Sequence, residues 1–237
     1  MIATSEIPES VGAFLRAEPD RLREWMLRRQ GNLVAFCVLA IVAGAGSYGA
    51  AMGCWRAPLQ ALYTGIKLPL VILLTTLGNG LLNGMLAPLL GLNVTFRQSL
   101  AAVLISFAVT AMVLGALSPV ALFIVWNTPP LALGTTESSP EYGLLQLTLA
   151  AFVALAGVMG NVRLVPLLRE WAGNAIVARN VLLAWLAGNL FLGSQICWVL
   201  RPFIWEANRP VEFIGQNCLQ GSFFETIFNA VCRLIFS

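Results

Sequence analysis

Three polar side chains recur at helical spacing inside one long apolar stretch of the chain. Residues 68–90, LPLVILLTTLGNGLLNGMLAPLL, are long and apolar enough to cross a bilayer. On a helix, Thr75, Asn79 and Asn83 stand at i, i+4 and i+8 and form one polar column. A buried amide without a hydrogen-bond partner is destabilising in hydrocarbon, so we expect this column to face other protein groups. Its candidate partners are another subunit or the polar side chains of other apolar stretches, namely Ser106, Thr110, Asn189 and Gln195.

This polar face supports two kinds of chemistry. It could line a polar cavity or hold the headgroup of a ligand, because amides and hydroxyls both donate and accept hydrogen bonds. It could equally fix the packing of the helices through interhelical hydrogen bonds, which contribute about 0.6 kcal/mol each in membranes. The sequence leaves both interpretations open.

The residue types on which many active sites depend are rare or missing. The chain has no His, and Asp20 is its single Asp. This excludes His-ligated metals and the Ser–His and Cys–His pairs of nucleophilic enzymes. The five Cys show no C-x-x-C spacing, so neither a zinc site nor an iron–sulfur site is indicated. We expect no enzymatic activity, no cofactor and no metal.

The composition places the chain in a membrane. Hydrophobic residues make up 58% of it and charged residues 11%, with a mean hydropathy of +0.81, whereas soluble domains carry about 25% charged residues. Backbone groups in lipid must be satisfied internally, which leaves helices or a closed barrel. Unbroken runs of Leu, Ala, Val and Ile without alternation argue against the barrel. We predict an all-α, polytopic transmembrane helical bundle of about five spans, with amphipathic helices at both termini.

Five apolar segments divide the chain. The predicted spans cover about residues 33–53, 68–90, 98–117, 143–162 and 180–200. They form a membrane domain, 32–201, between a cytoplasmic amphipathic segment, 1–31, and an interfacial tail, 202–237. We expect residues 54–67 to form a connector at headgroup level, with Pro69 in the first turn of the second span. No ionisable side chain is then expected near the middle of a span, which argues against ion-coupled transport.

The positions of the basic residues set the expected orientation. With the N terminus inside, nine basic residues near the spans lie on the cytoplasmic side and five lie outside, as the positive-inside rule requires. We therefore expect an N-in, C-out protein of a bacterial inner membrane. Two groups of arginines either set this topology or bind anionic lipid headgroups. They are Arg23, Arg28, Arg29, Arg163, Arg169 and Arg179.

The last part of the chain is a short apolar segment, residues 222–236. At 15 residues it is too short to span a bilayer. We expect a helix that lies in the membrane interface or docks on a partner subunit. The apolar side chains at helical spacing that would form the docking face include Phe223, Phe224, Ile227, Phe228 and Val231.

An aromatic–basic turn, Phe96 and Arg97, leads into the third span, whose apolar run is expected to kink or end at Pro119. Together with five spans and a cytoplasmic N-terminal segment, residues 95–120, TFRQSLAAVLISFAVTAMVLGALSPV, resemble bacterial members of the Yip1 family. The resemblance implies a five-helix membrane protein with N-in, C-out topology and a scaffolding or partner-binding role. It assigns no catalytic residue.

These observations favour a non-enzymatic scaffold or accessory subunit of a larger membrane complex. The expected partners are membrane lipids and either other membrane subunits or further copies of the chain. We expect no nucleic acid partner. The alternative function is a passive pore or small-molecule transporter built on the polar face of Asn79, Asn83 and Asn189.

Overall fold

The computed structural model consists of helices joined by short turns. It describes residues 11–16, 24, 30–92, 94–129, 140–201, 203, 211–215, 218–222 and 224–225. Within these residues the helices are α1 Val11–Arg16, α2 Gln30–Gly53, α3 Pro58–Leu89, α4 Phe96–Asn127, α5 Pro140–Val162, α6 Leu164–Ala172 and α7 Ala175–Val199.

Five helical segments are long and apolar enough to cross a membrane. They are Gly31–Gly53, Pro58–Leu89, Phe96–Asn127, Leu144–Ala172 and Ala175–Val199. The fourth of these combines α5 with the short α6. The described part of the chain contains no β-strand. The predicted fold class, an all-α polytopic helical bundle, is confirmed.

Close backbone contacts join α2, α3 and α4. A Cβ on Gly49 of α2 would lie 2.5 Å from the carbonyl oxygen of Thr64 in α3. Elsewhere on α2, Gly44 lies directly against the backbone of Ala111 in α4. Small residues allow helix backbones to approach this closely, which is how helices associate where lipid removes the hydrophobic driving force. These three spans form the centre of the bundle.

The spans α5 and α7 lie at the edge of this centre. α5 packs on α4, and α7 packs mainly on α3 and α6. The hydroxyl of Tyr48 in α2 also donates a 2.8 Å hydrogen bond to the carbonyl oxygen of Leu149 in α5. In an apolar stretch of 18 residues in α4, 61% of the residues are buried. In the corresponding stretch of α7, only 17% are buried. The outer spans therefore leave much of their surface to lipid or to other proteins.

The turn between the second and third spans ends in a capping box. The hydroxyl of Thr95 accepts a hydrogen bond from the backbone N–H of Gln98 at 3.3 Å. The Gln98 side chain accepts one from the backbone N–H of Thr95 at 2.9 Å. Both N–H groups would otherwise lack partners at the helix start, so this pair fixes where α4 begins.

The second span begins well before its predicted start. α3 starts at Pro58 rather than at residue 68, and the turn before it is only residues 54–57. The prediction of a connector over residues 54–67 is therefore wrong. Pro58 occupies the first helical turn, where a missing N–H loses no intrahelical bond. Pro69 lies in the helix interior instead of the first turn, a position that membrane helices tolerate when neighbouring groups satisfy the freed carbonyl.

Pro119 does not end the third span. α4 runs through it to Asn127, beyond the predicted end near residue 117. A proline at this position lacks the N–H that would bond the carbonyl oxygen of Gly115. The hydroxyl of Ser118 donates to that oxygen instead, at 2.7 Å. The acceptor stays satisfied, so the helix continues.

A short amphipathic helix, α6, occupies the predicted basic connector between the last two spans. Its buried face consists of Leu164, Leu167 and Leu168. α6 ends at Gly173, whose φ of 59° lies in the left-handed region that glycine adopts without strain. Asn174 then caps α7 by accepting a 2.8 Å hydrogen bond from the N–H of Ile176. α7 therefore begins at Ala175, ahead of the predicted start near residue 180.

Much of both predicted amphipathic termini falls outside the described residues. At the N terminus this applies to the predicted headgroup or topology residues Arg23, Arg28 and Arg29. In the tail it applies to the predicted docking residues Phe223, Ile227, Phe228 and Val231.

Candidate functional site

One face of α3 carries buried polar side chains along most of its length, interrupted by Val71. Helical spacing places these residues on the same side, and every one of them is at most 2% exposed. The line, here called the polar stripe, consists of Gln60, Thr64, Lys67, Thr75, Asn79 and Asn83. The sequence predicted its second half, Thr75 to Asn83. Gln60, Thr64 and Lys67 continue the same helical periodicity. This signal is overlooked when residues 54–67 are assigned to a connector.

Lys67 lies within the helix of the second span and not in a connector before it. It is fully buried, about 14 Å along the helix axis from Pro58 at 1.5 Å per residue. On the same turns the opposite side of α3 presents Leu62 and Ile66, which are 58% and 50% exposed. A cation therefore shares its depth with apolar side chains that face outward. Lys67 is the tenth of the 32 residues of this helix, so it does not lie near the middle of the span. Charged groups inside spans commonly mark functional sites.

Two residues beyond α7, Phe203 and Phe213, lie against the first half of the polar stripe. The Nζ atom of Lys67 lies 5.1 Å from the ring centroid of Phe213 and 5.9 Å from that of Phe203, within the range of cation–π attraction. The backbone carbonyl of Phe203 accepts hydrogen bonds from Gln60 Nε2 at 2.8 Å and from Thr64 Oγ1 at 3.1 Å. These contacts join the start of the second span to residues that follow the last span.

The second half of the polar stripe faces α7. The Nδ2 atom of Asn79 donates to Oδ1 of Asn189, and it lies 3.4 Å from the carbonyl oxygen of Trp185. A Cβ on Gly188 would lie 2.5 Å from Oδ1 of Asn79, so the glycine makes room for the amide. The structure thus brings together two of the predicted polar residues, Asn79 and Asn189, from spans far apart in the chain.

Several polar atoms of the stripe are buried without a hydrogen-bond partner among the described residues. They are Thr75 Oγ1, Asn79 Oδ1 and both amide atoms of Asn83. Each such atom costs about 1–3 kcal/mol relative to a hydrogen-bonded one. Together they offer donors and acceptors, but no charge, to a neutral polar group.

Three further predicted residues lie apart from the polar stripe. Ser106 and Thr110 are buried on α4 where Gly160 of α5 packs against them. The Thr110 hydroxyl donates to the carbonyl oxygen of Ser106 at 3.0 Å, as is usual for threonine in a membrane helix. Gln195 is half-buried on α7. Helical spacing revealed these polar residues but not the neighbouring helix that each one meets.

The predicted surface residues divide into two groups. Arg169 and Arg179 are exposed and line one cleft between α6 and α7, while Arg163 is half-buried at the start of α6 and does not line it. In the tail, Phe224 is exposed, and its ring stacks on Phe191 of α7 with centroids 5.3 Å apart. Phe224, one of the few described residues of the tail, therefore lies against the last span.

No group of three or more His, Cys, Asp or Glu residues among the described residues could hold a metal ion. The chain matches no protein-family model, no curated protein and no solved structure. Its functional interpretation therefore depends on its own residues and their geometry.

Proposed function

We propose that this chain is a non-enzymatic scaffold or accessory subunit of a larger complex in a bacterial inner membrane. One observation carries the proposal. α5 presents a face of small residues, Ala150, Ala154 and Gly157, that the other described residues leave uncovered. Ala150 and Ala154 are exposed, and a Cβ on Gly157 would meet no heavy atom within 4 Å.

The inner glycines show what such a face does when it is occupied. On the adjacent face of α5, Gly160 packs directly on Thr110 of α4, and Gly49 of α2 packs on α3 in the same manner. Small residues are enriched where membrane helices meet, because they let backbones approach closely. The small face of α5 has this chemistry, and a helix of another subunit would fill it.

The other outer span, α7, also leaves apolar surface for a partner. Its outward side chains include Leu183, Leu190 and Phe191, which are all more than half exposed. Phe224 of the tail stacks on Phe191, so a tail helix that docks on a partner would do so beside α7. The resemblance of residues 95–120 to the Yip1 family supports the same kind of partner-binding role.

The orientation that we propose is N-in, C-out. The order of the five spans puts the turn at residues 90–95 and the α6 region on the same side as the N terminus. That side carries Arg97, Arg163, Arg169 and Arg179, in accordance with the positive-inside rule. Cys54 is exposed in the opposite turn, so a membrane-impermeant thiol reagent should label it from outside the cell. Labelling of Cys54 only from the cytoplasm would show that the orientation is the opposite one, N-out and C-in.

Native mass spectrometry of gently solubilised protein tests the scaffold proposal. We expect a mass larger than that of one chain, owing either to other subunits or to further copies. Gly157→Leu should release the chain from this complex because the new side chain fills the small-residue face. Met159→Leu, at an outward position on the opposite side of α5 that is 48% exposed, is the matched control and should retain the complex. A wild-type protein that is purely monomeric and partner-free would overturn the proposal.

A second candidate function, passive transport of small polar solutes, has support from the polar stripe. Lys67 is buried inside a span, and Asn83 has no hydrogen-bond partner among the described residues. Proteoliposomes can be tested for uptake of glycerol and urea by light scattering. Transport requires uptake faster than in protein-free vesicles and its loss in Asn83→Leu. Uptake that matches protein-free vesicles would eliminate this candidate and leave the scaffold role unaffected.

A further inference from the structure

The junction of α6 and α7 forms a cleft with unusual chemistry for this surface. Its volume is about 420 Å³, and two arginines, Arg169 and Arg179, lie along it. The remaining wall is apolar and includes Val165, Ile176 and Leu182. A cleft that combines paired cations with an apolar wall matches a molecule that is itself anionic at one end and apolar at the other.

Two local features shape the cleft. The left-handed Gly173 and the capping residue Asn174 turn the chain within two residues, so α6 and α7 diverge from a common corner. The buried leucines of α6 hold that helix against the bundle, which leaves Arg169 in its last turn exposed. Arg179 reaches the same space from the second turn of α7. The two guanidinium groups therefore come from separate helices with a fixed junction.

We propose that this cleft binds an anionic phospholipid, with Arg169 and Arg179 on its phosphate and an acyl chain along Ile176 and Leu182. Guanidinium groups pair with phosphate oxygens through two parallel hydrogen bonds, which makes arginine well suited to this contact. The cleft also opens at the N-terminal end of α7, where the helix dipole favours an anion. Basic pockets between membrane helices on the cytoplasmic side bind lipid headgroups in this way.

The length of the apolar wall favours a lipid over a soluble phosphate. Leu182 lies seven residues beyond Ala175, which places it about 10 Å further along α7. Since α7 is one of the five span-forming helices, this direction leads from the headgroup region towards the hydrocarbon. Inorganic phosphate would contact only the two arginines and would gain nothing from Leu182. The site is independent of whether the chain is a scaffold or a transporter.

Native mass spectrometry of the full chain in detergent, titrated with defined lipids, tests this site. Phosphatidylglycerol and phosphatidylcholine with identical acyl chains serve as the two probes. We expect phosphatidylglycerol to bind more tightly, and each of Arg169→Gln and Arg179→Gln to weaken it about fivefold, the effect of one basic residue near anionic lipid. Leu182→Asp should weaken binding of both lipids, because a carboxylate interrupts the apolar wall.

Arg163→Gln is the matched control, since Arg163 is basic and nearby but does not line the cleft. It should leave phosphatidylglycerol binding unchanged, and circular dichroism should show that all variants retain their helix content. Equal binding of the two lipids, or an equal loss in Arg163→Gln, would overturn the proposal. Displacement of the lipid by millimolar inorganic phosphate would likewise overturn it and assign the arginines to a soluble anion.

Discussion

The Nζ atom of Lys67 lies 5.1 Å from the ring centroid of Phe213, so an aromatic side chain from beyond the last span lies against a cation of the second span. Gln60 and Thr64 of the same helix donate hydrogen bonds to the carbonyl oxygen of Phe203. A lysine buried in a span needs nearby groups that stabilise its charge. The aromatic rings supply part of that stabilisation, and the hydrogen bonds hold the backbone of Phe203 beside them.

The first prediction concerns the interaction energy between Lys67 and Phe213. We expect Phe213→Ala to lower the thermal unfolding midpoint in detergent more in the wild type than in Lys67→Met. The ring attracts the cation by roughly 0.5–2 kcal/mol, and this contribution disappears when the cation is gone. The four proteins of the double-mutant cycle separate this pair from the other contacts of Lys67. Strictly additive effects would show that ring and cation do not interact.

The second prediction concerns the proline inside α4. Ser118→Ala should destabilise the protein by about 1 kcal/mol, because the carbonyl oxygen of Gly115 loses the hydroxyl that replaces the missing N–H of Pro119. In a Pro119→Ala background the backbone N–H returns, so the same Ser118→Ala change should have little effect. Thermal unfolding in detergent compares the two backgrounds. Equal destabilisation in both backgrounds would mean that the Ser118 hydroxyl does not replace the missing hydrogen bond to this carbonyl oxygen.

Sequence periodicity predicted much of the architecture, and its failures have physical causes. Apolar runs indicated five spans because the bilayer fixes their length, and the columns of α3 followed from 3.6 residues per turn. Residues 58–67 were missed as helix because Gln60, Thr64 and Lys67 carry the polar chemistry of a headgroup region. They are buried instead, and Phe203 and Phe213 from beyond α7 lie against them, a tertiary contact without a local signal.

The sequence predicted which polar residues need hydrogen-bond partners, but not which residue pairs with which. The spacing of Asn79 indicated that it needs a hydrogen bond, but the choice of Asn189 depends on how α3 and α7 cross. Ser106 and Thr110 have the same spacing on α4, yet Gly160 of α5 covers them. Helical periodicity identifies a face, whereas close approach at glycines determines which helix that face meets.

The third prediction contrasts two glycines three residues apart on α5. Gly160→Ala should destabilise the protein by roughly 1–3 kcal/mol, because its Cβ would meet Thr110 and the carbonyl oxygen of Ser106, and overpacking forces a shift. Gly157→Ala should instead leave stability unchanged or raise it by up to about 1 kcal/mol, since its Cβ meets nothing and alanine favours the helix. Thermal unfolding of the two variants in detergent measures both effects. The reverse order would contradict the packing of α5 on α4.

The fourth prediction separates the two asparagines of the polar stripe. Asn79→Leu should destabilise the protein by roughly 0.6–1.7 kcal/mol, the range for interhelical hydrogen bonds in membranes, because Asn189 loses its donor. Asn83→Leu should be neutral or stabilising, since neither amide atom has a hydrogen-bond partner among the described residues and leucine removes that penalty. The double variant Asn79→Leu/Asn189→Leu should recover part of the loss, because both polar groups are then gone. Unfolding of purified protein in mixed detergent gives the four free energies. A loss for Asn83→Leu as large as for Asn79→Leu would show that Asn83 also makes a structural hydrogen bond.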